Sequence, residues 1–332
     1  MRIYAAVLET EGFTIGQDNS RSGLFQREAD GNWTSLGWPN VRNFGIATTP
    51  DYIFLACGNG VLRSADNGKN WRMTTDWKIT EVLDVALDPA DPHKLVIATA
   101  HGIAWSPDDG DTWHTNNEGL RSTFVHSIVF EPAASESLSR AKQGIRSPVA
   151  WPAKLERSES VDGSGERTLR ARWILGTEDG LFAADSPSAR WTRAGLRDLA
   201  IRRIAVNSEG VCAVATDGAG LWLRNRDDWT QASQLPADAS FYAAAVSDDG
   251  ASIATGGFQK GVYLSRDSGV KWTHLTDGLT NLNIQALAFR PETDELWAGT
   301  SGGGAFRLDG SRWVFEGLPG STIRKFYFDR TR

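Results

Sequence analysis

One short pattern, glycine followed by an apolar residue, a tight turn and then tryptophan, occurs seven times in this chain of 332 residues. The copies are GLFQREADGNW (23–33), GVLRSADNGKNW (60–71), GIAWSPDDGDTW (102–113), GLFAADSPSARW (180–191), GLWLRNRDDW (220–229), GVYLSRDSGVKW (261–272) and GAFRLDGSRW (304–313). Their tryptophans, Trp33, Trp71, Trp113, Trp191, Trp229, Trp272 and Trp313, are spaced by 38, 42, 78, 38, 43 and 41 residues. Such a period means one supersecondary unit repeated, each unit too small to bury its own apolar faces and stable only against its neighbours. The last unit divides into four strand-like runs separated by turn residues: IQALAF (284–289), ELWAGT (295–300), GAFRLD (304–309) and RWVFEG (312–317). Four short strands per period predict an all-β fold, a seven-bladed β-propeller of four-stranded antiparallel blades. Blades covered on both faces also explain why the inner runs are continuously apolar instead of alternating.

The chain ends complete the pattern. RIYAAVLE (2–9) resembles the second strand of a unit, and TIRKFYFD (322–329) resembles a first strand with nothing after it. The C-terminal strand is therefore expected to close the first blade, leaving no open sheet edge there. The whole of 1–332 reads as one propeller. The doubled interval holds residues 131–170, an expected disordered insertion in the fourth blade, with seven basic and six acidic residues and little to form a core. Trp151 is the one side chain there suited to docking on a partner.

Composition excludes several classes. With 35 Lys+Arg against 41 Asp+Glu, the net charge of −6 argues against nucleic-acid binding, which needs a basic stripe. No apolar run approaches the ~20 residues of a membrane helix, so no membrane insertion is expected and the protein reads as soluble. The opening MRIYAAVLETEGF lacks the apolar stretch of a signal peptide, which predicts a cytoplasmic protein, or a secreted one if a leader has been removed. Cys57 and Cys212 sit in apolar runs and suggest no disulfide framework. A monomer is expected.

Three of the turns share a tighter form: SADNGKNW (64–71), SPDDGDTW (106–113) and SRDSGVKW (265–272). These segments resemble the Asp-box, S-x-D-x-G-x-x-W, of BNR-repeat propellers, a superfamily that includes sialidases, xyloglucan-cleaving glycosidases, sortilin-type receptors and Ycf48-like assembly factors. Its members differ so widely in function that the resemblance implies fold and not activity. It also implies a structural role for Asp66, Asp108 and Asp267, on the face opposite the usual binding site.

Aligning the seven innermost strands locates candidate chemistry. They read VRNFGI (41–46), TEVLDV (80–85), VHSIVF (125–130), IRRIAV (201–206), FYAAAV (241–246), IQALAF (284–289) and IRKFYF (323–328). Their second column, Arg42, Glu81, His126, Arg202, Tyr242, Gln285 and Arg324, is polar or amphipathic throughout and gives the candidate ligand-binding residues at the channel mouth. Three arginines and one glutamate leave a local excess of two positive charges in an acidic protein, suited to a carboxylate or phosphate. Arg203 and Lys325 follow directly and reinforce it.

The sialidase resemblance implies three arginines on a sugar carboxylate, a Tyr–Glu nucleophilic pair and an acid/base aspartate. Tyr242 and Glu81 are the weak catalytic candidates on that reading. The column contains no aspartate, the F/Y-R-I-P segment is absent, and the pair falls on the sixth and third blades. Xyloglucan-type enzymes work between two propellers. No cofactor motif is present, and the five histidines form no HxH or HExxH pattern, so neither cofactor nor metal is expected. The strongest arrangement for a metal would be His101, His126 and Glu81. Trp38, Trp77 and Phe258 fall in loops of the binding face and could stack on a sugar or a protein, with half-buried loop packing as the plainer expectation. Together these features predict a non-catalytic binding or assembly propeller that recognises a protein segment or anionic ligand at the channel mouth. The alternative is a glycoside hydrolase or carbohydrate-binding protein of sialidase type.

Overall fold

The computed structural model describes residues 1–9, 22–37, 41–132, 171–225 and 228–330. These residues form 28 strands in seven four-stranded antiparallel sheets. The first blade holds β1 (Arg2–Glu9), β2 (Gly23–Arg27) and β3 (Trp33–Ser35). The second to seventh hold β4–β7 (43–73), β8–β11 (82–115), β12–β15 (125–131 and 172–195), β16–β19 (201–231), β20–β23 (241–275) and β24–β27 (284–317). The last strand, β28 (Ser321–Asp329), returns to β1 and pairs with it from Arg2↔Asp329 to Glu9↔Ser321. The tail supplies the innermost strand that the head lacks, and the backbone groups along β1 are paired on both sides. Among the described residues, no helix is long and apolar enough to cross a membrane.

Seven apolar clusters make up the core, and each is drawn from two neighbouring blades. One joins Tyr4, Ala6 and Leu24 of the first blade to Ile46, Ile53 and Leu55 of the second. Another joins Ile3, Val7 and Phe25 of the first blade to Trp297 and Ala305 of the seventh, and so closes the ring. A blade stripped of its neighbours would expose both faces, so the ring is the folding unit.

The repeated tryptophans explain the spacing that announced the fold. Five donate their indole N–H to a carbonyl of the preceding blade or its connecting loop: Trp33 to Glu316, Trp71 to Leu36, Trp191 to Asn116, Trp229 to Ala194 and Trp313 to Leu275, at 2.7 to 3.2 Å. Trp113 and Trp272 donate to Gly110 and Gly269 of their own turns. A large apolar plate with one donor both fills the inter-blade groove and fastens it.

The three S-x-D-x-G-x-x-W turns have one geometry. Ser64 Oγ donates to Asp66 Oδ1 at 2.9 Å and accepts the Gly68 N–H at 2.8 Å, while Asp66 Oδ1 accepts the Asn70 N–H at 2.8 Å. Ser106, Asp108 and Gly110 repeat this, as do Ser265, Asp267 and Gly269. In all three the aspartate Oδ1 is spent on its own turn, and Asp66 and Asp108 spend Oδ2 there as well. Gly68 takes a φ of 83°, a left-handed backbone that glycine adopts without strain.

The expected insertion at 131–170 falls almost wholly outside the described residues, as do Trp38 and Trp151. At its edge the boundary needs correction. Glu131 is the last residue of β12 and is buried, bridged by Arg172 (2.7 Å) and Arg224. A carboxylate this buried persists only with such partners.

Candidate functional site at the channel mouth

The seven innermost strands are β4 (Asn43–Thr48), β8 (Val82–Asp88), β12 (Val125–Glu131), β16 (Ile201–Val206), β20 (Phe241–Val246), β24 (Ile284–Arg290) and β28. Every one carries a bulge at the same level. The extra, unpaired residues are Phe44, Leu83, His126, Arg202, Tyr242, Gln285 and Arg324. A bulge re-aims the side chain it inserts. Here all seven face one cavity of about 410 Å³ on the ring axis, completed by Arg203 and Asp217.

Five of the seven sequence-derived candidates, His126, Arg202, Tyr242, Gln285 and Arg324, line this cavity, and Arg42 and Glu81 do not. The register in the second and third blades is displaced by two residues from the sequence alignment, so Phe44 and Leu83 take those places. Arg42 is exposed just before β4. Glu81 precedes β8 with a φ of 51°, exposed, its carboxylate 3.6 Å from His101 Nε2. Tyr242 lines the cavity without Glu81 beside it. His101, His126 and Glu81 do not converge either, because His126 faces Glu178 and Arg202. Among the described residues no group of three potential metal ligands gathers.

Beneath the bulges lies a second layer: Gly45, Asp84, Ser127, Arg203, Ala243, Ala286 and Lys325. Asp84, 1% exposed, is its hub. Lys325 Nζ donates to Oδ1 at 2.6 Å, Arg203 Nη1 to Oδ2 at 3.3 Å, and the Ile128 N–H to Oδ2 at 3.3 Å. Lys325 comes from the first blade and Asp84 from the third, with the second between them. There Gly45 packs closely on the third blade, where a Cβ would sit 3.1 Å from Asp84 Cα. Burial pushes the Lys325 ammonium below the ordinary lysine range, and the Asp84 charge opposes that shift. Sequence reasoning missed Asp84, although an acid within the apolar run VLDVAL was a visible signal.

The cavity wall is electrically uneven. On the fourth and fifth blades Arg202 donates to Asp217 through Nε (3.2 Å) and Nη2, and Nη1 lies 3.1 Å from Glu178 Oε1. Bonds from Ser240 and Arg202 hold the Asp217 carboxyl below the usual range. His126 Nε2 lies 2.6 Å from both Arg202 Nη1 and Glu178 Oε1. Burial lowers its pKa, the bond to Glu178 opposes that shift, and the Arg202 charge adds to it. Arg324 differs. Its Nη1 donates to Gln285 Oε1 at 2.9 Å, its guanidinium lies over the Phe44 ring at 5.8 Å, and its buried Nε has no acceptor among the described residues. Burial, together with the charges of Arg203 and Arg42, lowers its pKa.

Around this mouth, Trp77 is 83% and Phe258 51% exposed, against the expectation of loop packing, and Phe124 packs against His126 with the rings tilted by 46° while remaining open to solvent. A second cavity of about 550 Å³ lies between the outer strands of the first and seventh blades and gathers no comparable charge.

Neither a family model nor a curated protein matches the sequence. Solved structures do. The GH74 xyloglucanase of Xanthomonas campestris superposes with a TM-score of 0.67 at 17% identity, over 98% of this chain and 55% of that one. The GH74 enzyme of Niastella koreensis gives 0.66 at 15%, over 96% and 56%. Ycf48 bound to D1 peptide gives 0.57 at 12%, over 82% and 80%. The chain is a β-propeller like these. It spans about half the length of the two GH74 chains, and at such identities the likeness concerns the fold alone.

Proposed function

We propose that this propeller is a non-catalytic binding module that recognises an anionic protein segment at the axial mouth. The observation that carries this reading is the charge imbalance in the cavity wall and the layer directly around it. Arg202, Arg203, Arg324 and Lys325 face Asp84, Asp217 and Glu178, four cations against three carboxylates, and every carboxylate is engaged by a cation other than Arg324. An arginine held in a half-buried site without a counter-charge among the described residues is suited to take one from a ligand. The exposed Trp77, Phe124 and Phe258 give a partner apolar purchase on the same face. Ycf48, one of the similar folds, was solved with a peptide bound.

The likeness to xyloglucanases keeps glycoside hydrolysis or carbohydrate binding as the second reading. A glycosidase needs an acid that is protonated near neutrality, whereas Asp217 is held down by Ser240 and Arg202. Fluorescence anisotropy with fluorescein-labelled acidic hexapeptides, beside their glutamine analogues, tests the choice, together with a panel of chromogenic glycosides. The expected result is saturable binding of the acidic peptides and no turnover. Glycoside turnover that is lost with Asp217→Asn or Tyr242→Phe would overturn the proposal.

A further inference from the structure

We infer that the mouth seats a single carboxylate on Arg324 and that the ligand bearing it turns an apolar group toward Phe44 and Leu83. The inference rests on the anion-recognition reading above and narrows it to one chemical class, a monocarboxylate with an adjacent apolar group.

The charge placement selects the anion. Asp84 with Arg203 and Lys325 sums to one positive charge, and Arg202 with Asp217 and Glu178 to one negative, so with Arg324 the wall is left one positive charge in excess. Arg324 is its cation with no carboxylate partner among the described residues, and the exposed Arg42 adds to the positive field. Of the five N–H donors of that guanidinium, one is given to Gln285, and the buried Nε has no acceptor among the described residues. A carboxylate satisfies such a fork with two parallel bonds. A dianion would bring its second charge toward Asp217 in the same wall, part of the net-negative group around Arg202, so phosphate-type groups are disfavoured.

The uneven wall selects what the carboxylate is attached to. The polar sector, His126, Arg202 and Tyr242, belongs to the fourth to sixth blades, while the second and third contribute only Phe44 and Leu83. Phe44 lies directly beside the open guanidinium. A ligand with its charge on Arg324 therefore has an apolar surface within reach on one side and none on the other. An acidic side chain next to an apolar residue in a peptide satisfies this, and so does a small arylalkyl acid.

Calorimetry on the intact protein with 3-phenylpropionate, propionate, 3-phenylpropionamide and phenylphosphonate separates the contributions, and competition against the labelled acidic peptide separates the two sources. The expected order places 3-phenylpropionate about tenfold or more ahead of the other three. Arg324→Gln should lose that binding by a similar factor, and Phe44→Ala should reduce 3-phenylpropionate to the level of propionate. Arg324→Lys, which keeps the charge and loses the fork, should fall between wild type and Arg324→Gln. Equal binding of phenylphosphonate, or binding unchanged in Arg324→Gln, would refute the inference. Acidic peptides that bind without being displaced by 3-phenylpropionate would sink it while leaving the proposed function intact. Failure of every acidic peptide to bind wild type would remove both.

Discussion

Replacing Asp84 by asparagine preserves shape and removes the one carboxylate on which Lys325 and Arg203 converge. Each of those contacts is a charge-assisted hydrogen bond, of the kind worth about 1.5–3 kcal/mol apiece when made. Both cations keep roughly a fifth of their side-chain surface in contact with solvent, which offsets part of the loss. Breaking a buried pair by deleting one partner costs ~3–5 kcal/mol because it strands the other charge, and the solvent contact sets the expectation at the lower end, about 3 kcal/mol. That is a large share of the ~5–15 kcal/mol that stabilises a typical protein. Urea unfolding followed by tryptophan fluorescence measures it, provided the slope matches wild type. Asp84→Asn combined with Lys325→Met should regain about half of the loss, since one stranded cation is gone. The single variant should also recover stability as pH rises toward the free-lysine value of ~10.4, since burial lets the Lys325 ammonium lose its proton before the unfolded chain does. A loss below about 1 kcal/mol, or a double variant less stable than the single, would refute the hub.

Asn43 occupies a level filled in the other blades by Val82, Val125, Ile201, Phe241, Ile284 and Ile323, and its buried amide finds no partner among the described residues. Asn43→Val should therefore stabilise by about 1–2 kcal/mol in the same assay, and a loss would show that the amide is satisfied. Ser64→Ala leaves the buried Gly68 N–H without its acceptor and should cost about 1–2 kcal/mol; a neutral result would mean the turn holds itself. His126, lowered by burial, makes the native state the weaker proton binder. As pH falls through the free-histidine value of ~6.5 the unfolded chain protonates first, so stability is lost from there down to the folded pKa. His126→Gln should flatten that part of a stability-versus-pH curve, and an unchanged slope would contradict the assignment.

Much of the architecture was legible because it is periodic. Trp33 and its six counterparts recur at the interval at which each blade meets the one before it, and the fit of RIYAAVLE to TIRKFYFD marks where the ring closes. The mouth was legible only in part. In His126, Arg202, Tyr242, Gln285 and Arg324 the polar residue follows an apolar one at the strand start, so alternation found them. In the second blade the same pattern occurs two residues too early, at Val41-Arg42, and in the third the β-branched Thr80 before Glu81 imitates it, whereas the bulged Phe44 and Leu83 are apolar and carry no such signal. A bulge breaks the two-residue period on which strand alignment depends. Asp84, Asp217 and Glu178 come from different levels and blades, and their pairing with Arg203, Lys325 and Arg202 has no local signature.

The chain's own letters determined the number of blades, the strand order within each and the closure by β28, since all of these follow from apolar runs and turn residues that act on near neighbours. Tertiary structure alone decided which side chains meet on the axis and which charge is left over there. Seven strands distant in sequence each contribute one bulged residue to that space, and the balance of Arg324 against the paired cations exists only once the ring has closed.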